Sequence, residues 1–450
     1  MNAQNRTHAH RPQAHERTDA RQHTPARKRM PVILSATLLT ALTTGAAPAP
    51  ATPAPASAPV ALDGSGQCTY PAKPIKGTPW SLQRVLLDQL WQDTRGKDGH
   101  GNPVRVAVID TGVDNLNPQL KDAVDARSGT DLLTGATDPG RPPAAGASGP
   151  AGPTVDPVGH GTKVAGIIAA RPSPASGFVG IAPESVIIPI RQNDEKGTGT
   201  SRTLATGIRQ AVDAGARVIN ISQDTATPLR PDSDLEQAVQ YALAHDVVVI
   251  ASAGNDGADG QAKATYPAAY PGVLAVGASD RNNERAYFSQ AGDFVGVAAP
   301  GVDMVSTVPG GGQCVDHGTS FSAPYVAGVA ALIRAKHPDW KQHQVVAQIE
   351  QTAERPSAGR DRYIGWGVVD PARALTEDDH PLDRVTAPGG PAHPVAAPEP
   401  AALSLGESAR ERQARLATYA LGGTAALVAA IAGSAVVVRD RNRRRVRTGP

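Results

Sequence analysis

Gly318-Thr319-Ser320-Phe321-Ser322-Ala323-Pro324 is the stretch on which the reading of this 450-residue chain turns. A small, polar cluster opens an apolar segment, Phe321 to Lys336, in which Ala323, Val326, Val329 and Leu332 recur at helical spacing. Ser320 therefore sits just after a glycine at a helix entry, with its hydroxyl exposed and first-turn N–H groups beside it. Nucleophilic acyl transfer requires that arrangement. A plain serine N-cap produces the same local pattern.

Upstream, Val104 to Ile109, Arg217 to Ile221, Val247 to Ala251 and Val273 to Val276 are short, mostly β-branched runs followed closely by Gly, Asp or Ser. They alternate with helical patterns at Leu204 to Ala214 and Asp234 to Ala244. Such alternation predicts an α/β fold, a parallel sheet with helices on both faces. Sheets of that kind gather ligands at the carboxyl ends of their strands, and polar residues stand there. Asp110 follows the first strand, which is too apolar to accept a carboxylate without a partner; a turn cap or an orienting role toward a histidine would each supply one. Gly159-His160-Gly161-Thr162 opens a helix over Lys163 to Ala170, where a surface or satisfied core histidine is the ordinary alternative. Ala253-Gly254-Asn255 follows a third strand and offers either a turn residue or an amide donor.

Each element is weak alone, but Asp, His, Asn and Ser in this order, each at a strand end or helix start, form a specific set. The chain resembles the subtilisin family of serine proteases through Val108-Ile109-Asp110-Thr111-Gly112-Val113, His160-Gly161-Thr162, Ala251-Ser252-Ala253-Gly254-Asn255 and Gly318 to Pro324, with Val297-Ala298-Ala299-Pro300-Gly301 in support. The chain order Asp, His, Ser separates this type of triad from chymotrypsin-like and α/β-hydrolase orders. The resemblance implies a subtilisin-like catalytic domain, set at residues 80–380, with Ser320 as nucleophile, His160 as general base and acid, Asp110 orienting the imidazole, and Asn255 in the oxyanion hole.

The ends of the chain narrow the reading. Arg27, Lys28 and Arg29 precede an apolar run from Met30 to Leu42 and then small residues, so 1–47 reads as an export signal with a long n-region, although Met30 is an equally good start. A Pro-rich extension, 48–79, follows. Its roughly 30 residues are too few to bury a core, so a separately folded, removable propeptide is not expected there. After a Pro-rich linker, 381–415, Leu416 to Val438 runs 23 residues without a charge, which is about 34 Å of helix against a hydrocarbon core near 30 Å. A buried Ala- and Gly-rich helix is the alternative. Arg439, Arg441, Arg443, Arg444, Arg445 and Arg447 follow directly, so the tail, 439–450, is assigned to the cytoplasm and the catalytic body to the outside of a cell membrane. Signal, extension, a Gly/Pro-rich insertion from Ser128 to Pro157, linker and single span together resemble the mycosins, membrane-anchored subtilases of type VII secretion. That resemblance implies protein substrates drawn from secreted or secretion-associated proteins, and membrane secretion-complex proteins as partners.

Composition removes other classes. With 44 Lys and Arg against 42 Asp and Glu, and 4% aromatic residues, the chain has no basic, aromatic-interleaved surface, so nucleic acid is not an expected partner. Two cysteines, Cys68 and Cys314, exclude a four-thiolate zinc site. In an exported chain they are expected to pair with each other, the alternative being one buried thiol and one bonded to a partner protein. No acidic cluster has EF-hand spacing, so no metal or other cofactor is expected, and the calcium bound by some subtilases stays open. Two positions depart from the common pattern: Lys163 replaces the frequent second histidine, and Asn220-Ile221-Ser222-Gln223-Asp224 lacks the glycine often found after the serine. Substrate preference is therefore not carried over. A general exported subtilase for nutrient proteins and a scaffold with a dormant triad are the competing functions; the span counts against the first and the intact triad against the second.

Overall fold

The β-branched runs form a parallel seven-stranded sheet in the order β2-β3-β1-β4-β5-β6-β7. Its strands are β1 (Arg105–Asp110), β2 (Thr130–Asp131), β3 (Val186–Arg191), β4 (Val218–Ile221), β5 (Val248–Ser252), β6 (Leu274–Ser279) and β7 (Val295–Pro300). An antiparallel pair, β8 (Met304–Thr307) and β9 (Gln313–Asp316), stands apart from it. The helices are α1 (Trp80–Gln83), α2 (Leu87–Leu90), α3 (His160–Ala169), α4 (Ser201–Asp213), α5 (Asp234–Ala244), α6 (Thr319–Lys336), α7 (Gln342–Thr352), α8 (Pro371–Thr376) and α9 (Ala409–Arg447). This computed structural model describes residues 68–133, 152–194, 199–224, 232–355, 359–385 and 409–447. The expected signal segment, residues 48–67 of the extension, residues 134–151 of the insertion and residues 386–408 of the linker lie outside the described residues.

Alternation along the strands separates two cores. Val106 and Val108 of β1, Val218 of β4 and Val248 and Ile250 of β5 pack with Val164 and Ile168 of α3 and Val326 and Val329 of α6. Their neighbours Ala107, Ile109, Ile219, Ile221, Val249 and Ala251 face the other way, against Leu204 and Ile208 of α4 and Leu235 and Val239 of α5. Helices thus cover both faces, as the near-continuous apolar strands require. β3 is less visible in sequence because Pro189 interrupts it. The proline is tolerated beside β2, which pairs only with Ile190 and Arg191 and so asks nothing of the Pro189 nitrogen. α3 begins at His160, earlier than its apolar pattern suggests, because a capping network described below holds its first turn.

Cys68 and Cys314 form a disulfide across 246 positions of sequence and fasten the extension to β9. Beyond it the Ala72 N–H donates to the Gly311 carbonyl at 2.9 Å, and the Ile75 N–H to Gln313 Oε1 at 2.8 Å. The Tyr70 hydroxyl donates to the Val158 carbonyl at 2.7 Å, two residues before His160. On the same hairpin Asp316 Oδ2 accepts from Lys163 Nζ of α3 at 2.7 Å, so the departure at Lys163 is explained by an ion pair. Extension, hairpin and α3 are thereby joined. The α9 helix is 39 residues long, all apolar or small between Leu416 and Val438 apart from four hydroxyl side chains, and is long and apolar enough to cross a membrane.

Breaking so long a loop closure removes up to about 4–5 kcal/mol in the chain-entropy model. Cys68→Ser is expected to lower the denaturant midpoint and to expose the segment around Tyr70 to limited proteolysis. An unchanged midpoint and cleavage pattern would contradict this role.

Candidate active site

β1, β4 and β5 are neighbours in the sheet, and their carboxyl ends bring Asp110, Ser222 and Ser252 to one edge. α3 and α6, side by side on one face, begin at that edge and deliver His160 and Ser320. Asn255 lies in the turn after β5. All four residues singled out in the sequence therefore converge.

The Asp110 side chain is 1% exposed, and its Oδ1 accepts from His160 Nδ1 at 2.7 Å. The same oxygen accepts the Thr111 backbone N–H at 2.8 Å. Gly161 makes the approach of α3 possible: a Cβ there would collide with the Gly112 carbonyl and stand 3.0 Å from Asp110 Cβ. Burial opposes the imidazolium, but the charge and hydrogen bond of Asp110 outweigh it and raise the His160 pKa above its usual 6.5. The imidazole keeps 27% exposure and meets the Phe321 ring at a centroid distance of 5.5 Å. With Nδ1–H held by Asp110, Nε2 is the nitrogen left to accept a proton.

Asp156, in the Gly/Pro-rich insertion and not recognised from the sequence, sets the start of α3. Its Oδ1 accepts the Gly159 N–H at 2.8 Å and the Thr111 hydroxyl at 2.7 Å. Its Oδ2 accepts the Thr162 N–H at 2.8 Å and the Thr162 hydroxyl at 2.6 Å. Thr111 in turn accepts the Gly161 N–H at 3.0 Å, so strand end and helix start share one network. Burial nevertheless raises the Asp156 pKa, against the hydrogen bonds of Thr162 and Thr111 and with a further push from Asp110. The available signal was an Asp three residues ahead of a glycine helix cap.

Ser320 is tied to Ser222, which the sequence marked as part of a departing segment without giving it a contact to Ser320. The Ser222 hydroxyl donates to the Ser320 carbonyl at 2.8 Å, and the Ser320 hydroxyl donates to the Ser222 carbonyl at 3.2 Å. Pro324 lies four residues after Ser320 in α6 and has no N–H to give that carbonyl, which leaves it open for Ser222. Among the described residues no hydrogen bond joins the Ser320 hydroxyl to His160; the two meet through Phe321. Asn255 Oδ1 accepts the Thr319 N–H at 2.9 Å and the Thr319 hydroxyl at 3.0 Å. That pairing fixes the amide so that Nδ2, its donor end, has no hydrogen bond among the described residues and stands beside Gly318, at the first turn of α6. The arrangement can activate a hydroxyl, receive its proton and bind an oxyanion. Among the described residues no group of three or more His, Cys, Asp or Glu side chains is placed to hold a metal ion.

The profile of the peptidase S8 subtilase family matches residues 101–367. Subtilisin Savinase from Lederbergia lenta is 36% identical over 301 residues, spanning 67% of this chain and 99% of its own. Among solved structures, MycP3 protease from the type VII (ESX-3) secretion system superposes with a TM-score of 0.57 at 35% identity, over 68% of this chain and 91% of that one. MycP1 from Mycobacterium smegmatis gives 0.58 at 31%, over 70% and 89%.

Removing the Asp156 carboxylate leaves buried donors on Thr111, Gly159 and Thr162, each costing about 1–3 kcal/mol when unsatisfied. Asp156→Ala is expected to destabilise the fold by at least about 2 kcal/mol, read as a fall in denaturant midpoint. A variant as stable as the parent would show that other groups cap α3.

Proposed function

Because the chain belongs to the subtilase family of serine proteases, we propose that it is a membrane-anchored serine endopeptidase of type VII secretion, in which Ser320, His160 and Asp110 carry the chemistry. The observation that carries the site assignment is the 2.7 Å His160 Nδ1 to Asp110 Oδ1 contact, with the ring lodged against the residue next to Ser320. Rotation of the Ser320 side chain away from the Ser222 carbonyl hands its hydroxyl to Nε2 of His160. The serine oxygen bonds to the scissile carbonyl carbon as its proton passes to Nε2. Asn255 Nδ2 and the Ser320 N–H hold the developing oxyanion. The C–N bond then breaks, His160 returns the proton to the leaving amine, and water repeats the sequence on the acyl-enzyme. Asp110 keeps the tautomer and stabilises the imidazolium.

Membrane anchoring is supported by α9 and by the arginines that follow Val438. The secretion role is supported by likeness to the MycP1 and MycP3 structures. In this reading the catalytic domain lies outside the membrane and acts on secreted or secretion-associated proteins, with secretion-complex proteins as neighbours.

A fluorophosphonate probe is expected to label the wild-type protein and not Ser320→Ala. Ser320→Ala, His160→Ala and Asp110→Asn should each reduce peptide hydrolysis about 10⁴-fold or more, and Asn255→Ala about 100- to 1,000-fold. Equal labelling of wild type and Ser320→Ala would sink the nucleophile assignment. The base must be neutral, and the His160 pKa is raised, so the acid limb of kcat/KM should lie above 6.5. A limb below 6.5 would contradict the Asp110 effect. Truncation before Ala409 should yield protein that stays in the supernatant with its activity retained, and continued sedimentation with membranes would assign the anchor elsewhere.

A further inference from the structure

The segment after β4 departs from the family pattern at Gln223 and Asp224, and its side chains fan out in three directions. Ser222 turns to the Ser320 carbonyl. Gln223 turns the opposite way, its amide donating to the Ile109 carbonyl at 3.0 Å. Asp224 crosses toward the turn after β5: a Cβ on Gly254 would stand 2.5 Å from Asp224 Oδ2. Gly254 has φ of 105°, a conformation that also favours glycine. The carboxylate therefore lies over the bare backbone one residue before Asn255.

That position has chemical meaning if Ser320 is the nucleophile, the reading on which this inference rests. The Ser320 hydroxyl sits at the Ser222 carbonyl, on the β4 side, and the Asn255 amide sits on the β5 side. An acyl carbon attacked by Ser320 with its oxygen on Asn255 stands between the two strand ends. The side chain of the residue contributing that carbonyl then enters the gap between 222–224 and 253–255. Asp224 lines the gap, is solvent-exposed, and has no hydrogen bond or ion pair among the described residues. Nearby Asp256 adds negative charge rather than cancelling it, and partial desolvation of the carboxylate, with Asp256 behind it, raises the Asp224 pKa. Among the described residues, Arg217 is engaged with Asp246, Lys263 with Asp259, and Arg285 with the Gly257 and Ser289 carbonyls.

We propose that Asp224 is a specificity-determining residue that selects lysine or arginine immediately before the scissile bond. An ammonium or guanidinium in the gap would give the unpaired carboxylate its missing partner, whereas a glutamate there would meet two acidic groups. Gly254, with no side chain, is what lets the Asp224 carboxylate reach the backbone one residue before Asn255.

The test uses peptidyl diphenyl phosphonates identical except for Lys, Leu or Glu at the residue that mimics the one before the cleaved bond. Their inactivation rates are measured on the full chain in detergent. Wild type is expected to react about 10- to 100-fold faster with the Lys probe than with the Leu probe, the range of a charge-assisted hydrogen bond in a partly enclosed site. Asp224→Asn keeps the shape and should abolish most of that ratio, and Asp224→Lys should favour the Glu probe. The small fluorophosphonate, which carries no such side chain, should label wild type and both variants at similar rates. A Lys to Leu ratio near one in wild type, or one unchanged in Asp224→Asn while fluorophosphonate labelling persists, overturns the role of Asp224. Loss of fluorophosphonate labelling in wild type would instead overturn the nucleophile assignment.

Discussion

A carboxylate buried at the end of an apolar strand is the constraint from which the rest of this structure follows. Asp110 closes β1 with almost no exposure, and a charge so placed is costly without close donors. They gather on one oxygen: the Thr111 N–H, His160 Nδ1 and, at 3.2 Å, the Thr111 hydroxyl it shares with Asp156. Bringing His160 there requires α3 to start at that residue, Gly161 to carry no side chain against the Gly112 carbonyl, and Asp156 to satisfy the helix start. The same contact sets the proton inventory of the imidazole. A structural need of the strand end and a chemical need of acyl transfer are thus met by one hydrogen bond.

The second half of the site is assembled independently, on α6. Pro324 withholds an N–H from the Ser320 carbonyl, Ser222 takes the place of that N–H, and Thr319 orients Asn255. What holds the halves in register is the pair of cores on either face of the sheet, since α3 and α6 share one of them. The disulfide adds an outer tie, running from the extension through β9 to Asp316 and Lys163, one turn beyond His160. These connections explain why a chain with a long Pro-rich approach can present a defined catalytic edge.

Much of this was legible in the sequence, for identifiable reasons. β1, β4, β5 and β6 announced themselves as β-branched runs ended by Gly, Asp or Ser, and α5 was bounded as found because Ser233 caps it and its apolar face is regular. Asp110, His160, Asn255 and Ser320 stood out because each sits at an element boundary with a glycine close by. What was missed depends on distant pairing. β3 hides behind Pro189, and β2 is two residues long. Asp156 looked like part of a loop because its four donors come from residues on both sides of His160. The reach of Asp224 to Gly254 joins positions 30 apart in sequence, across two strands, and no local pattern reports it.

The central claim is that these strand and helix ends form one acyl-transfer site, although the Ser320 hydroxyl rests on the Ser222 carbonyl. A crystal structure of the covalent adduct with a peptidyl phosphonate tests it most directly. The account predicts phosphorus on Ser320 Oγ, one phosphonyl oxygen within hydrogen-bond distance of Asn255 Nδ2 and the Ser320 N–H, and His160 Nε2 turned to the adduct with Nδ1 still on Asp110. An adduct on another residue, or a phosphonyl oxygen directed away from Asn255, would contradict it.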